Sequence, residues 1–548
     1  MSRSLIAKTA CLGAWLLPCA VLAAEKATEP SWTYRVAKGD TLYGVARTYL
    51  APGISWQRLQ RLNRVPNPRR LPPGRELTMP VTWLRAQATV ATVAFVTGRA
   101  TRDSGTADPV ALSAGDTLQP GDLLITDADA SITLRLADAS RVLVSGGSRV
   151  RMESLLSFGR SGVTSSRLGV EKGEADSRIN PDHAPGTRYD VRTPALTLGV
   201  RGTEFRVRVA EDANSTVAEV TQGRVAVASP KLRGERAVDA GFGMVATPDG
   251  GPSGVQPLPA APGLGTLPTL YERVPLSFSW PPLEGAVAYR AQVFADDSLN
   301  QRLLDGVFER PAAQWADLPD GRYLLQVRAR SERGLEGRDG RLVFTLKARP
   351  EPPFSGEPRD EGRAYGDRVE FSWTAAAAAV RYRIQVASDA RFETLLLDRA
   401  DVADTRVAVP LPPGRYHWRL ASIALGDDQG PFSDAASFEL RETPPPPPVD
   451  APKGEGKKLV FRWRARSGDD AYDVQVASDP AFQQIVLERR ENLPELVLDK
   501  PPRGTYYLRV RTIDADGFVG PYGSAQQFKV SLNPWWWAVP GVLVLLLL

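Results

Sequence analysis

The chain has 548 residues, with 68 Lys+Arg against 63 Asp+Glu, two histidines and two cysteines. That length is a prior for several domains, and 43% hydrophobic with 24% charged residues is globular composition, not disorder. Cys11 and Cys19 are the two cysteines, and His183 and His417 lie far apart, so most cysteine and metal chemistries are excluded from the body of the chain.

Residues 1–24 read as an export signal. Arg3 and Lys8 form a basic start, Leu12 to Leu22 is an apolar run too short for a span, and Val21-Leu22-Ala23-Ala24 offers a small-residue cleavage site near Ala23 or Ala24. A lipid-modified Cys19 is disfavoured by Pro18, which stands where a small residue is wanted. The exported chain then has no cysteine, hence no disulfide framework and no thiolate nucleophile. The expected location is the periplasm or cell envelope.

Residues 32–82 form the first module. Tyr34-Arg35-Val36 reads as a strand, and Gly39-Asp40-Thr41-Leu42 turns into a helix over Leu42 to Tyr49. Ser55 can cap a second helix from Trp56 to Leu62, with Ile54 and Leu59 as a hydrophobic staple. Asn63 follows, then a turn at Leu71-Pro72-Pro73-Gly74 and a closing strand at Leu77-Thr78-Met79. Residues 32–85 hold ten Lys/Arg against Asp40 and Glu76, a net charge of +8, which points to an anionic partner. An ordinary solvated arginine surface is the other reading of that charge. The strand-helix-helix-strand order and these motifs resemble the LysM module over its full length. The resemblance implies binding of N-acetylglucosamine-containing glycans, chiefly peptidoglycan. It places Gly39, Asp40, Thr41 and Leu42 on one wall of a shallow groove, and Asn63 with Pro66 to Leu71 on the other. Leu42 and Leu71 are then candidates to pack on sugar faces. Asn63 also reads as a helix-terminal residue in the left-handed region. Gly44 inside the first helix departs from helical preference.

Residues 88–248 are β-rich. Ile132 to Leu136 and Arg141 to Val144 alternate around Ala137-Asp138-Ala139-Ser140, a hairpin signal. Leu168 to Gly173 and Val217 to Val227 show a strand-Gly-strand device. Val191-Arg192-Thr193-Pro194 followed by Gly199-Val200-Arg201-Gly202-Thr203-Glu204-Phe205 resembles the FecR domain, which implies a β-domain and a link to signalling. Gly199 and Gly202 suit turns or bulges, and Arg201 could pair locally. The namesakes of that family carry a cytoplasmic segment and a membrane span before this domain, whereas here an export signal and another module precede it.

A Pro/Gly-rich stretch at 249–269 reads as a linker. Three repeats follow, at 270–347, 362–441 and 453–531. Phe278-Ser279-Trp280, Phe371-Ser372-Trp373 and Phe461-Arg462-Trp463 recur at offsets of 93 and 90. Each is followed by a Tyr-containing strand (Tyr289, Tyr382, Tyr472) and then by Gly-x-Tyr at Tyr323, Tyr416 and Tyr506. Within Tyr416 to Leu420 the alternation puts Tyr416, Trp418 and Leu420 on one face, with His417 and Arg419 on the other. Repeat length and the Trp and Tyr positions resemble fibronectin type III sandwiches, a family of spacing and adhesion domains. Three independent folds are expected. Ala348 to Pro353 and the proline run within 442–452 read as extended spacers.

The tail, 534–548, opens with Trp535-Trp536-Trp537 and continues as an aliphatic run shorter than the ~20 residues of a spanning helix. It reads as an interfacial membrane contact or as the start of a truncated segment. The fold class is multidomain and mainly β: a small α+β (βααβ) module, a FecR-like β-domain and three tandem sandwiches. No Gly-x-Ser-x-Gly elbow and no phosphate-binding loop occurs. Catalytic residues, metal ligands and cofactors are expected to be none, and nucleic acid is not an expected partner. The expected function is non-enzymatic binding of peptidoglycan, with the β-domains presented for scaffolding or contact with envelope proteins. The alternative is a FecR-type periplasmic regulator, and an accessory to cell-wall hydrolysis or an enzyme ranks below both.

Overall fold

The computed structural model describes residues 30–106, 108–200 and 202–531, so the export signal, Arg201 and the apolar tail lie outside the described residues. The chain divides into two compact units, 1–347 and 348–548. Among the described residues no helix is long and apolar enough to cross a membrane.

In the first unit, β1 (Ser31–Arg35) pairs antiparallel with β2 (Glu76–Pro80). Between them lie α1 (Leu42–Tyr49) and α2 (Trp56–Leu62), where the sequence places them. Leu42, Val45, Leu59, Leu77 and Met79 form the core of this small module. The core is completed from outside the module: Phe158 and Val163, from the following domain, belong to the same cluster. Ser55 occupies the N-cap of α2, but its side chain makes no capping hydrogen bond. Thr41 does cap α1, its hydroxyl accepting from the Gly44 amide at 3.1 Å. A Cβ at Gly44 would sit 3.1 Å from that capping oxygen, tighter than ordinary contact.

Residues 87–257 close into a barrel. The hairpin expected around Ala137 forms, with Arg141–Val144 paired to Ser131–Arg135. The two strand-Gly-strand segments are not hairpins. Thr164–Arg178 is one long strand that pairs with Arg149–Ser157 before Gly173 and with Glu204–Val209 from Gly173 onward. Likewise Thr216–Gln222 pairs with Glu204–Val209, while Arg224–Ala228, just past Gly223, pairs with Thr197–Val200. Gly173 and Gly223 have φ of +83° and +78°, which lets the chain pass from one sheet to the next where L side chains are strained. Gly202 makes a turn at φ +61°, but Gly199 is an ordinary strand residue. The barrel interior is filled by one continuous aliphatic cluster with Tyr189 and Phe205. Inside the stretch read as a linker, Gly251–Pro252 and Gln256–Pro257 pair with Phe242–Thr247.

Each repeat is a sandwich of two sheets. In the second, Arg381–Ala387, Gly414–Ile423 and Ala436–Arg441 pair in one sheet, and Arg368–Ser372 with Arg406–Pro410 form the other. Trp280, Trp373 and Trp463 are buried, each edge-on to the next strand's tyrosine with centroids 5.6, 5.6 and 5.2 Å apart. The hydroxyls of Tyr323, Tyr416 and Tyr506 donate to the carbonyls of Pro319, Pro412 and Pro502 at 2.7, 2.6 and 3.0 Å. A tyrosine tied to backbone four residues upstream is the corner device of such sandwiches. The proline-rich joints are stitched down: Ser422 Oγ donates to Glu351 O at 2.7 Å, and Thr512 Oγ1 to Pro445 O at 2.9 Å.

The first sandwich does not stand alone. Its sheet face lies on the barrel through a buried ionic cluster. Arg208 reaches Glu336 at 2.6 Å, Arg328 reaches Asp176 at 3.1 Å, and Arg290 contacts Glu174. Arg206 and Glu219, both of the barrel, approach to 3.0 Å in the same layer. Such a cluster is tolerated in a buried seam only because each charge has a counter-charge. The first of the three expected sandwiches therefore shares a packed ionic interface with its neighbour, which the expectation of three separate folds did not include. Within the second unit, sandwiches two and three also touch, with Tyr365 stacked on Phe518 at 3.9 Å and Arg441 paired to Asp516 at 2.6 Å.

Candidate functional site

The first module brings its two candidate walls together. The Leu42 N–H donates to Pro68 O at 3.2 Å, which joins the Gly39–Leu42 turn to the 66–71 loop. Gly39 and Thr41 are exposed on one side, and Pro66, Arg69 and Arg70 on the other. Asp40 is held between them and the strand: its carboxylate accepts from Tyr34 Oη at 2.6 Å and from the Ala37 amide at 2.7 Å. That bond pushes the Tyr34 phenol up to about 12.

Two assigned residues cannot act as assigned. Leu42 is 0% exposed and Leu71 is 7%, so both are core, not sugar platforms. The cause is amphipathicity: Leu42, Val45 and Ala46 share the inward face of α1. Asn63 is not left-handed either, since φ is −94° there and the left-handed residue is Arg64. The Asn63 amide bridges α2 to β2. Its Nδ2 donates to Leu59 O and Thr78 O, and its Oδ1 accepts from Thr78 N at 2.7 Å. It therefore positions the second loop. The amides of Leu42 and Gly44 are likewise committed, to Pro68 and Thr41.

Tyr43 was missed in the sequence. It is 60% exposed in the first turn of α1, two residues past Thr41. The same helical wheel that places Leu42 inside puts Tyr43 outside. The charge of the module is also uncompensated. None of its ten Lys/Arg makes an ion pair among the described residues. Arg75 and Arg85 donate to backbone carbonyls instead, and Arg58 lies 4.4 Å over the Trp83 ring. No group of three or more metal-ligating side chains occurs among the described residues.

Fold and groove thus define a small, cation-rich α+β module on a β-rich body. The comparisons are more particular. The family described as LysM domain matches residues 34–80, and the family described as FecR protein matches residues 122–226. No curated protein matches it. Among solved structures, it is similar to a protein of Parabacteroides distasonis assigned as an anti-sigma factor, at 18% identity and a TM-score of 0.21, over 25% of this chain. The chain spans 59% of the length of that protein. It is also similar to the FN1–FN3 domains of chicken CNTN1, at 16% identity and TM-score 0.24, over 46% of this chain and 93% of that one. A third likeness is to the fibronectin(III)-like modules of Clostridium thermocellum CbhA, at 12% identity and TM-score 0.23, over 32% of this chain and 93% of that one. At such scores the sandwich architecture stands on the strand pairing itself.

Proposed function

We propose that this is a non-enzymatic protein of the cell envelope that binds peptidoglycan through its LysM domain. The barrel and sandwiches serve as scaffold or as contacts for other envelope proteins. Export to the periplasm, and membrane contact through the 534–548 tail, belong to the same proposal. The observation that carries it is the LysM match over 34–80, in a domain whose two groove loops are joined by the Leu42–Pro68 hydrogen bond and whose cations have no carboxylate partners. Stem-peptide carboxylates make the wall anionic, so those arginines add long-range attraction while the groove selects the glycan. One shallow module is expected to bind in the micromolar to millimolar range, about 4 to 8 kcal/mol.

The test is co-sedimentation of the full chain with purified sacculi. Excising the module would uncover Phe158 and Val163, and Leu71→Asp would unfold its core, so surface variants are the proper probes. Tyr43→Ala should weaken binding at any salt concentration. If Tyr43→Ala binds as the parent does and all binding vanishes at about 0.5 M salt, where screening leaves only a few ångströms of reach, the glycan reading is wrong.

A second reading, a FecR-type regulator, is favoured by the 122–226 match. It requires that loss of the protein change the activity of a sigma factor while wall association is immaterial.

A further inference from the structure

The seam between barrel and first sandwich holds a cleft of about 580 Å³ that the wall-binding reading does not use. Five cations line it (Lys172, Arg208, Arg290, Arg330 and Arg333) against three carboxylates. Three of the cations are paired. Lys172 reaches Glu211 at 2.6 Å, Arg208 reaches Glu336 at 2.6 Å, and Arg290 holds Asp305 at 2.7 Å. Arg330 and Arg333 have no hydrogen bond or ion pair from their side chains among the described residues. Arg333 is exposed at the mouth, whereas Arg330 is half-buried with its Nε fully enclosed and unpartnered. Burial, and secondly the neighbouring Arg208, push the Arg330 guanidinium below its ordinary value.

We propose that this cleft binds a small ligand bearing an oxyanion, a carboxylate or phosphate, with Arg330 pairing to it and Arg333 attracting it at the mouth. A half-buried guanidinium without an ion-pair partner is costly, and the neighbouring seam arginines Arg208, Arg290 and Arg328 are all paired. An oxyanion matches the fork of an arginine, and no other common group answers an unpaired cation beside Arg208 and Arg290. The volume lies in the range of ligand pockets at domain seams and exceeds a lone ion. Val217 and Val245 supply an apolar wall for the remainder of the ligand. The proposal stands whether or not the first module binds the wall.

The experiment is calorimetric titration of the full-length protein, at about 0.15 M chloride to screen surface charge. The probes are inorganic phosphate, acetyl-Ala-Ala with a free carboxylate, and its C-terminal amide. Saturable binding of phosphate alone identifies a free solute as the ligand. Binding of the dipeptide acid but not its amide identifies a peptide terminus. Either supports the site. Arg330→Gln should weaken binding about ten- to hundredfold, the worth of a charge-assisted contact. It should leave the unliganded melting temperature equal or higher, because it removes an unpaired cation. Should that variant fail to fold, Arg333→Gln at the exposed mouth should still lose about two- to fivefold. No saturable binding of either oxyanion, equal binding of the amide, or affinity undiminished in both variants overturns the proposal.

Discussion

Removing the Glu336 carboxylate tests whether barrel and first sandwich are one thermodynamic body. Glu336 is 1% exposed and touches Arg208 at 2.6 Å, Arg328 at 3.3 Å and Arg290 at 3.5 Å. In Glu336→Ala, Arg290 keeps Glu174 and Asp305, and Arg328 keeps Asp176 and Asp339. Arg208 keeps only the Gly334 carbonyl. The loss is therefore concentrated on one guanidinium stranded between the domains, and about 3 to 5 kcal/mol is expected. Differential scanning calorimetry of the full chain should show the transition of the first unit lowered by several degrees and that of the second unmoved. A cycle with Arg208→Ala should give a double variant less destabilised than the sum of the two singles, with a coupling of about 0.5 to 3 kcal/mol. Strict additivity, with a sandwich transition that ignores Arg208→Ala, would refute the shared seam.

Four further outcomes are expected. Burial raises Glu219 to about 7 from its ordinary 4.5 despite Arg206, so the folded state binds the extra proton between those values. Stability of the first unit should accordingly fall as pH rises from about 4.5 to 7, and Glu219→Gln should flatten that slope in urea titrations at stepped pH. Glu336 is held well below its ordinary value by Arg290, Arg208 and Arg328 against the cost of burial, so its contribution is present above 4.5 and lost as pH falls further. Trp418→Ala, at the centre of the second sandwich, should cost about 3 to 5 kcal/mol in the second unit and leave the first-unit calorimetric peak in place. Arg69→Glu with Arg70→Glu should reduce sedimentation with sacculi at low salt and converge on the parent as salt rises, which equilibrium binding at several salt concentrations would check.

Much of the fold was legible because it is periodic. Alternation in Tyr416 to Leu420 gave the buried face correctly, and the helix bounds at Leu42–Tyr49 and Trp56–Leu62 followed from caps and apolar spacing. What could not be read was long-range. Gly173 and Gly223 read only as glycines between strands, because a corner between sheets and a turn within one place the same demand on the backbone. The ionic seam was invisible because its partners lie far apart in the chain, Arg208 from Glu336 and Glu174 from Arg290. The repeats do hold one clue. Gln326 stands, by the repeat offsets, where Arg419 and Arg509 stand in the later copies, and Gln326 is the one buried under the barrel. In the first module the two loops named by the family resemblance are joined, but Leu42 and Leu71 serve the core that shapes them.

The first module shares its core with Phe158 and Val163 and meets the barrel closely enough that a side chain at Gly186 would strike Val81. A domain hung on a tether reports only that it has been caught. This one is set like a compass needle fixed to its housing. A glycan strand lying in its groove would take up a definite heading relative to the barrel, so the direction of the wall strands, and not just their presence, would be imprinted on the body of the protein.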